Sequence, residues 1–266
     1  MKYESETKAE LMRIDINCDM GESFGIYRIG DDEAVMPFIS SANIACGWHA
    51  GDPGVMAETL RLAESHGVAI GAHPGYPDLP GFGRRNMETR AGEIKNYIIY
   101  QTGALSGFAR ERGVKLQHVK AHGALYNLAA KDERAANEVI AAVKVYHPDL
   151  ILVTLAGSLC AEMALAAGLR VAGEAFPDRA YLSSGQLAPR TMEGAVIHDP
   201  DAVRLRALNL VKSGRLSSID GKEIKLQADT LCIHGDTPGA WKLAGAIRET
   251  LGDAGIKVLP MGLRTD

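Results

Sequence analysis

The sequence predicts an α/β protein built as a parallel barrel, closed or nearly closed, of about seven strand–helix units. Two observations carry this. Strand-like and helix-like patterns alternate along the whole 266-residue chain, and repeated strand–helix order implies parallel strands joined by right-handed crossovers. No composition break, flexible linker or low-complexity segment divides the chain. A doubly wound open sheet is the alternative architecture.

The elements follow in order. A strand over about 13–18 precedes a short helical stretch near DDEAVMPFI. SSANIACG reads as the second strand, and a helix opens at Asp52-Pro53, with proline in the favoured first turn and Asp52 as N-cap. GVAIGAH is the third strand, followed by a loop rich in Gly and Pro, and a long helix from near METRAGEIKNYI to about Arg112. VKLQHVKAH is the fourth strand, with helices across 124–146. LILVTLA, a helix near 158–167 and LRVAGEAF come next, then an irregular stretch over about 177–199. A helix near 200–213 capped by Asp199, a small hairpin at about 217–227, TLCIHGD, a helix at 239–252 and IKVLP finish the chain. Residues 1–11 are expected to be a disordered tail, leaving 12–266 as one barrel domain.

Bulk properties narrow the function classes. A hydrophobic fraction of 46% is ample for a large core, and a net charge of −4 without basic clusters gives no support to nucleic-acid binding. No apolar run reaches transmembrane length, and MKYESETKAE lacks the apolar region of a signal peptide. The four cysteines are scattered, three of them in strand-like runs, as expected of buried reduced thiols. The expectation is a soluble, cytoplasmic protein with no membrane partner.

Side chains two apart on a strand share a face. In RIDINCDMGE, Asp15, Asn17 and Asp19 oppose Ile14, Ile16 and Cys18, with Glu22 just beyond. Asn43 and His49 share a parity on the second strand; the third ends in His73, and the fourth carries His118, Lys120 and His122. Glu174, with Asp178 four residues on, and His234 with Asp236 end two later strands. Ionisable residues therefore gather at strand C-termini, the rim where βα loops build barrel active sites. That gathering favours a joint role for His49, His73, His122 and His234, whereas His118 lies deeper and is expected to fill the barrel. His66 and His147 end helices, a structural position. Lys120 either stabilises an oxyanion or pairs with an inward carboxylate. Carboxylates and histidines around one mouth suit acid–base catalysis or a hydrolytic metal site. The chain has no H-E-x-x-H, no G-x-S-x-G and no phosphate-binding G-x-x-x-x-G-K-[ST]. Arg84 and Arg85, in the Gly-rich loop, are candidates to hold an anion.

The same segments resemble the LamB/YcsF family. IDINCDMGESFG, SSANIACGWHAGDP, GAHPGYPDLPGFGRR and VKAHGALYN carry the likeness. EAFPDRAY, the spaced Gly185, Leu187, Pro189 and Arg190, and CIHGDTPGA extend it from about 13 to 260. The resemblance implies an irregular (β/α)7 TIM-like barrel similar to the glycoside hydrolase/deacetylase superfamily. It implies opening of the 5-oxoproline (pyroglutamate) lactam to glutamate, coupled to hydrolysis of ATP with Mg2+ and shared with separate B and C subunits. On that reading Asp15 or Asp19 orients water, and His49, His73 and His122 act as acid, base or ligands. Lys120 and Arg190 meet the substrate carboxylate or phosphoryl group. Asn17, Glu22, Asn43, Glu174 and His234 complete the substrate pocket. Deacetylases bind metal through Asp and His, which makes Asp15, His49 and His73 the metal candidates here. Two rival functions are a metal-dependent carbohydrate deacetylase or amidase, and a non-catalytic subunit that binds 5-oxoproline.

Overall fold

The computed structural model describes residues 12–146, 149–236 and 239–262; residues 1–11 and His147 lie outside the described residues. Ten strands occur among them: β1 (Arg13–Met20), β2 (Ser41–Ala45), β3 (Ala69–His73), β4 (Leu116–Lys120), β5 (Ile151–Leu155), β6 (Arg170–Ala175), β7 (Arg215–Ser217), β8 (Glu223–Lys225), β9 (Thr230–Ile233) and β10 (Lys257–Val258). The helices are α1 (Asp32–Val35), α2 (Pro53–Ser65), α3 (Glu93–Glu111), α4 (Gly123–Ala129), α5 (Glu133–Tyr146), α6 (Leu159–Ala166), α7 (Pro200–Ser213) and α8 (Ala240–Asp253).

Strands β1 to β6 run in sequence order and β9 closes the ring by pairing with both β6 and β1, every pairing parallel. These seven strands form a closed barrel, so the open-sheet alternative falls away. One edge of the long β1 is shared: its start pairs with β10 and its end with β2. The hairpin β7–β8 stands apart as a two-stranded sheet.

Most boundaries follow local chemistry. Asp52 accepts a hydrogen bond from the Val55 amide at 2.9 Å, and Ser158 from the Ala161 amide at 3.2 Å, so both cap as Ncap residues do. The long third helix begins at Glu93 rather than near Met87, because Gly92 takes a left-handed φ of 85° and forms the N-cap. The hairpin strands begin at Arg215, two residues before the expected start, directly after the left-handed Gly214 that ends α7. All four cysteines are buried and free.

The outward faces of the strands pack Ile16, Ile44, Ile70, Val119 and Leu152 under the helices, in one continuous apolar core. The inside is divided. On the β5–β6 side it is apolar, with Ile151, Val153, Ala172 and Met261 forming a cluster of their own. On the β1–β4 side it is polar, and close packing demands room there: a Cβ on Gly71 would sit 2.1 Å from the His118 ring. Glycine at that position lets the buried His118 reach Asn43 Oδ1 at 2.7 Å.

The polar interior begins with Asp15. Its carboxylate accepts hydrogen bonds from Ser40 (2.7 Å), Ser41 (2.6 Å) and Thr230, and so ties β1 to the starts of β2 and β9. The Met261 amide also reaches it, placing the C-terminal segment under the barrel. Burial raises the Asp15 carboxyl to about 6 against the lowering effect of these donors. The folded chain thus binds this proton more tightly than an unfolded one. The stability this group contributes is present below the ordinary carboxylate pKa and is lost as pH rises through about 6. Asp15→Asn carries no such dependence. In thermal and denaturant unfolding its stability relative to the parent should shift in the variant's favour by roughly 2 kcal/mol between pH 4 and pH 7.

Candidate active site

Above Asp15 the interior side chains connect strand to strand. Asn17 donates to Thr230 Oγ1 at 2.6 Å and accepts from Asn43 at 2.7 Å, while Asn43 also donates to Asp19 at 2.8 Å. Both asparagines are fully buried and engaged within the barrel. The Lys120 ammonium lies 2.8 Å from Asp19 Oδ1 and 2.8 Å from Glu174 Oε1, with Asn17 Oδ1 at 3.2 Å and Cys232 Sγ at 3.1 Å. Burial opposes its charge, yet the Asp19, Cys232 and Glu174 groups hold Lys120 well above its usual range. Burial likewise works against Asp19, but His73 and Lys120 keep its carboxyl well below the ordinary value.

The second oxygen of Asp19 lies 3.3 Å from His73 Nε2. His73 donates through Nδ1 to the Lys120 carbonyl at 2.8 Å, and His122 donates through Nε2 to the Phe82 carbonyl at 2.8 Å. Each ring is thereby fixed, and their remaining nitrogens, His73 Nε2 and His122 Nδ1, face each other at 2.9 Å. His49 stacks flat on His122 with centroids 3.7 Å apart. Glu22 Oε1 reaches His49 Nε2 at 3.4 Å and His122 Nδ1 at 3.7 Å. Burial, reinforced by the other histidines, pushes His49 and His122 well below the usual imidazole range. Burial and the neighbouring Asp19 and Asp236 charges push Glu22 well above the usual carboxylate range. Phe82 has the one positive φ (52°) among described non-glycine residues, so the loop holds a costly backbone geometry where its carbonyl meets His122.

This cluster borders a cavity of about 700 Å3, large enough for a small metabolite. Asp19, His73, Lys120 and His122 line one side; Arg84, Lys131, Arg179, Arg190, Phe176 and His234 line the rest. His234 Nδ1 meets Asp178 Oδ2 at 2.7 Å, and its ring lies over Phe176. Arg179 is pulled down to about 10, first by burial and then by Arg190, so two cations crowd this wall without compensation by Asp178 alone.

The LamB/YcsF family model matches residues 14–265. The chain belongs to the LamB/YcsF family. It is 70% identical over 251 residues, 94% of this chain and 99% of the relative, to the 5-oxoprolinase A subunit of Syntrophobacter fumaroxidans. It is 52% identical to the protein of the same name from Pyrococcus furiosus, over 94% of this chain and 98% of that one. Among solved structures, the lactam utilization protein from Thermus thermophilus superposes with a TM-score of 0.89 at 51% identity, covering 93% of this chain and 99% of that one.

In this LamB/YcsF barrel, Asp19, Glu22, His49, His73, Lys120, His122 and Glu174 come together, but Glu22, His49 and Glu174 pack behind the residues that line the cavity. Asp15 does not: it sits at the opposite end of the barrel, held by hydroxyl groups. Asn17 and Asn43 join the strands and do not line the cavity. Arg84 does line it, paired with Asp236 at 2.6 Å, while Arg85 pairs with Asp78 instead. The two readings of Lys120 resolve towards pairing, and with both inward acids. Arg179 and Tyr126 are site residues to which the sequence assigns no role, and Asp178, read from the sequence as a rim residue, is the partner of His234. Tyr126 packs its hydroxyl towards Glu174 and lies inside VKAHGALYN, which is the one signal that points to it.

Lys120→Met should leave Asp19 and Glu174 facing each other without a counter-charge and destabilise the fold by about 3–5 kcal/mol. Adding Glu174→Gln should recover part of the loss, read as a coupling energy in a double-mutant unfolding cycle.

Proposed function

We propose that this barrel, as a single catalytic domain, is the lactam-opening subunit of an ATP-dependent 5-oxoprolinase and works with separate B and C subunits. The observation that carries the reading is one cavity with two opposed walls. An ionised Asp19 among histidines forms one, and arginines with the Asp178–His234 pair form the other. The names of the close relatives support the same assignment.

A five-membered lactam is a stable amide, so water alone adds to it slowly. Transfer of a phosphoryl group from ATP to the amide oxygen makes the ring carbon electrophilic, and the chain has no G-x-x-x-x-G-K-[ST] motif. That step falls to the partner subunits. Arg190 and Arg179 then hold the anionic groups of the activated ring. Asp19, kept ionised by Lys120 and His73, accepts the proton of the attacking water. His234, oriented through Nδ1 by Asp178, donates a proton to the ring nitrogen as the carbon–nitrogen bond breaks. The product is the γ-acyl phosphate of glutamate, and a second water releases glutamate and inorganic phosphate.

Glutamate release from 5-oxoproline and ATP should require this chain together with the B and C subunits. The complete set giving no glutamate sinks the proposal, and deacetylation of a carbohydrate without ATP would install the rival. In the complete system Asp19→Asn and His234→Ala should each lower kcat by about 10²- to 10⁴-fold. Arg190→Ala should act mainly on KM, raising it roughly 10- to 100-fold.

A further inference from the structure

The proton and lone-pair inventory of the histidine cluster leaves one position unexplained by the acid–base scheme. His73 Nδ1 and His122 Nε2 each donate to a backbone carbonyl, so in the neutral rings the nitrogens facing each other at 2.9 Å both present lone pairs. Two lone pairs at that distance repel unless a cation, a proton or a metal ion, stands between or beside them, and positive charge there also keeps the neighbouring Asp19 ionised. Glu22 Oε1 and both ring nitrogens of His49 are buried without a hydrogen-bond partner, and Glu22 Oε1 lies 3.4 Å from His49 Nε2 beside the same point. Leaving such groups unpaired costs about 1–3 kcal/mol each. Anchoring the far nitrogen of a histidine on a carbonyl is how proteins orient a ring towards a metal.

We infer that Glu22, His49, His73 and His122 form a binding site for a divalent first-row transition ion, zinc being the default for three imidazoles and a carboxylate. The candidate donor atoms all lie within 4.8 Å of one another. Ligand bonds of about 2.0–2.1 Å in a tetrahedron set donor separations of about 3.3–3.4 Å. The separations here, 2.9, 3.4 and 3.7 Å, bracket that value. His73 Nε2, His122 Nδ1 and Glu22 Oε1 converge directly. His49 is the adjustable fourth donor: its ring is parallel to His122 within 2°, so it must turn to aim a lone pair at an ion in the His122 plane. The slot around it is walled by Gly75 and Gly83, where a Cβ would lie 2.8 Å from His49 atoms. Against the sequence-based candidates, this set has Glu22 in place of Asp15 and adds His122. Asp19, 3.3 Å from His73 Nε2, sits beside the site, where a bound ion would polarise a water or carbonyl oxygen entering the cavity.

Cobalt titration tests this without substrate, so its result is independent of the lactam reading. The purified full chain, stripped with chelator, should bind one Co2+ with the intense visible bands of a four- or five-coordinate nitrogen–oxygen site, and Zn2+ should bleach them. Glu22→Gln and His122→Ala should each weaken Co2+ binding by at least about 100-fold, with circular dichroism checking that each variant folds. Asp15→Asn should bind as the parent does. Absence of stoichiometric binding by the parent chain would overturn the inference, as would a site lost in Asp15→Asn but retained in folded Glu22→Gln. A hexacoordinate, weakly absorbing spectrum unchanged by both ligand substitutions would place the ion elsewhere and overturn it too.

Discussion

The structure depends on the buried ammonium of Lys120. It stands inside the barrel 2.8 Å from Asp19 on β1 and 2.8 Å from Glu174 on β6, with Cys232 of β9 against it. A parallel barrel normally fills its interior with branched apolar side chains, and here β5 and β6 do so with Ile151, Val153 and Ala172. The other strands give up that apolar filling for a polar column. Such a column is tolerable only when each polar group meets another, because an unpaired buried charge costs several kcal/mol. Lys120 meets this condition for two acids on distant strands at once. It also fixes the oxygen of Asp19 that does not bind it, which is the oxygen turned towards His73.

Burial and neighbouring charge together explain the states of the surrounding groups. Burial raises Asp15 to about 6. Burial, and then the Asp19 and Asp236 charges, push Glu22 well above the usual carboxylate range. Asp19 is the exception, held ionised because it faces both Lys120 and His73. The column is thus graded along the barrel. Its Asp15 end is a structural tie made of hydroxyl donors, its middle an ion-pair lock, and its mouth a group of imidazoles in which burial pushes His49 and His122 below the usual range.

How much of this the sequence disclosed follows from what each signal encodes. Strand–helix alternation gave the barrel, and side-chain parity correctly put Asp15, Asn17, Asp19, His118 and Lys120 on the inner face. Parity says nothing about height along the barrel axis. Asp15 and Asp19 therefore looked equivalent in RIDINCDMGE, although one reaches the hydroxyls of Ser40 and Ser41 and the other meets a histidine. Pairing was equally hidden: Asn17 and Asn43 read as substrate ligands because nothing local shows that each satisfies the other. Arg179 lies at the start of an irregular segment without periodicity, so its position in the cavity wall had no readable signature, and the rim position of Asp178 did not disclose its pairing with His234. His49 lies beyond the end of β2 at Ala45, in a loop whose course only tertiary packing decides.

The graded column has a consequence for how chemistry is confined. Lactam opening needs a base that is ionised and an acid that still holds its proton, within one cavity and at one pH. Two like groups in a shared environment cannot be split in this way, whereas groups given different partners can. Asp19 is tied to a lysine from the barrel interior, and His234 is tied to Asp178 from the loop after β6. The two reach the cavity from different strands, β1 and the end of β9, with substrate-sized space between them. Each is oriented by its own partner, and charge on His234 also favours the ionised form of Asp19. The barrel closure that brings β9 back beside β1 is what allows the two pairs to face the same substrate.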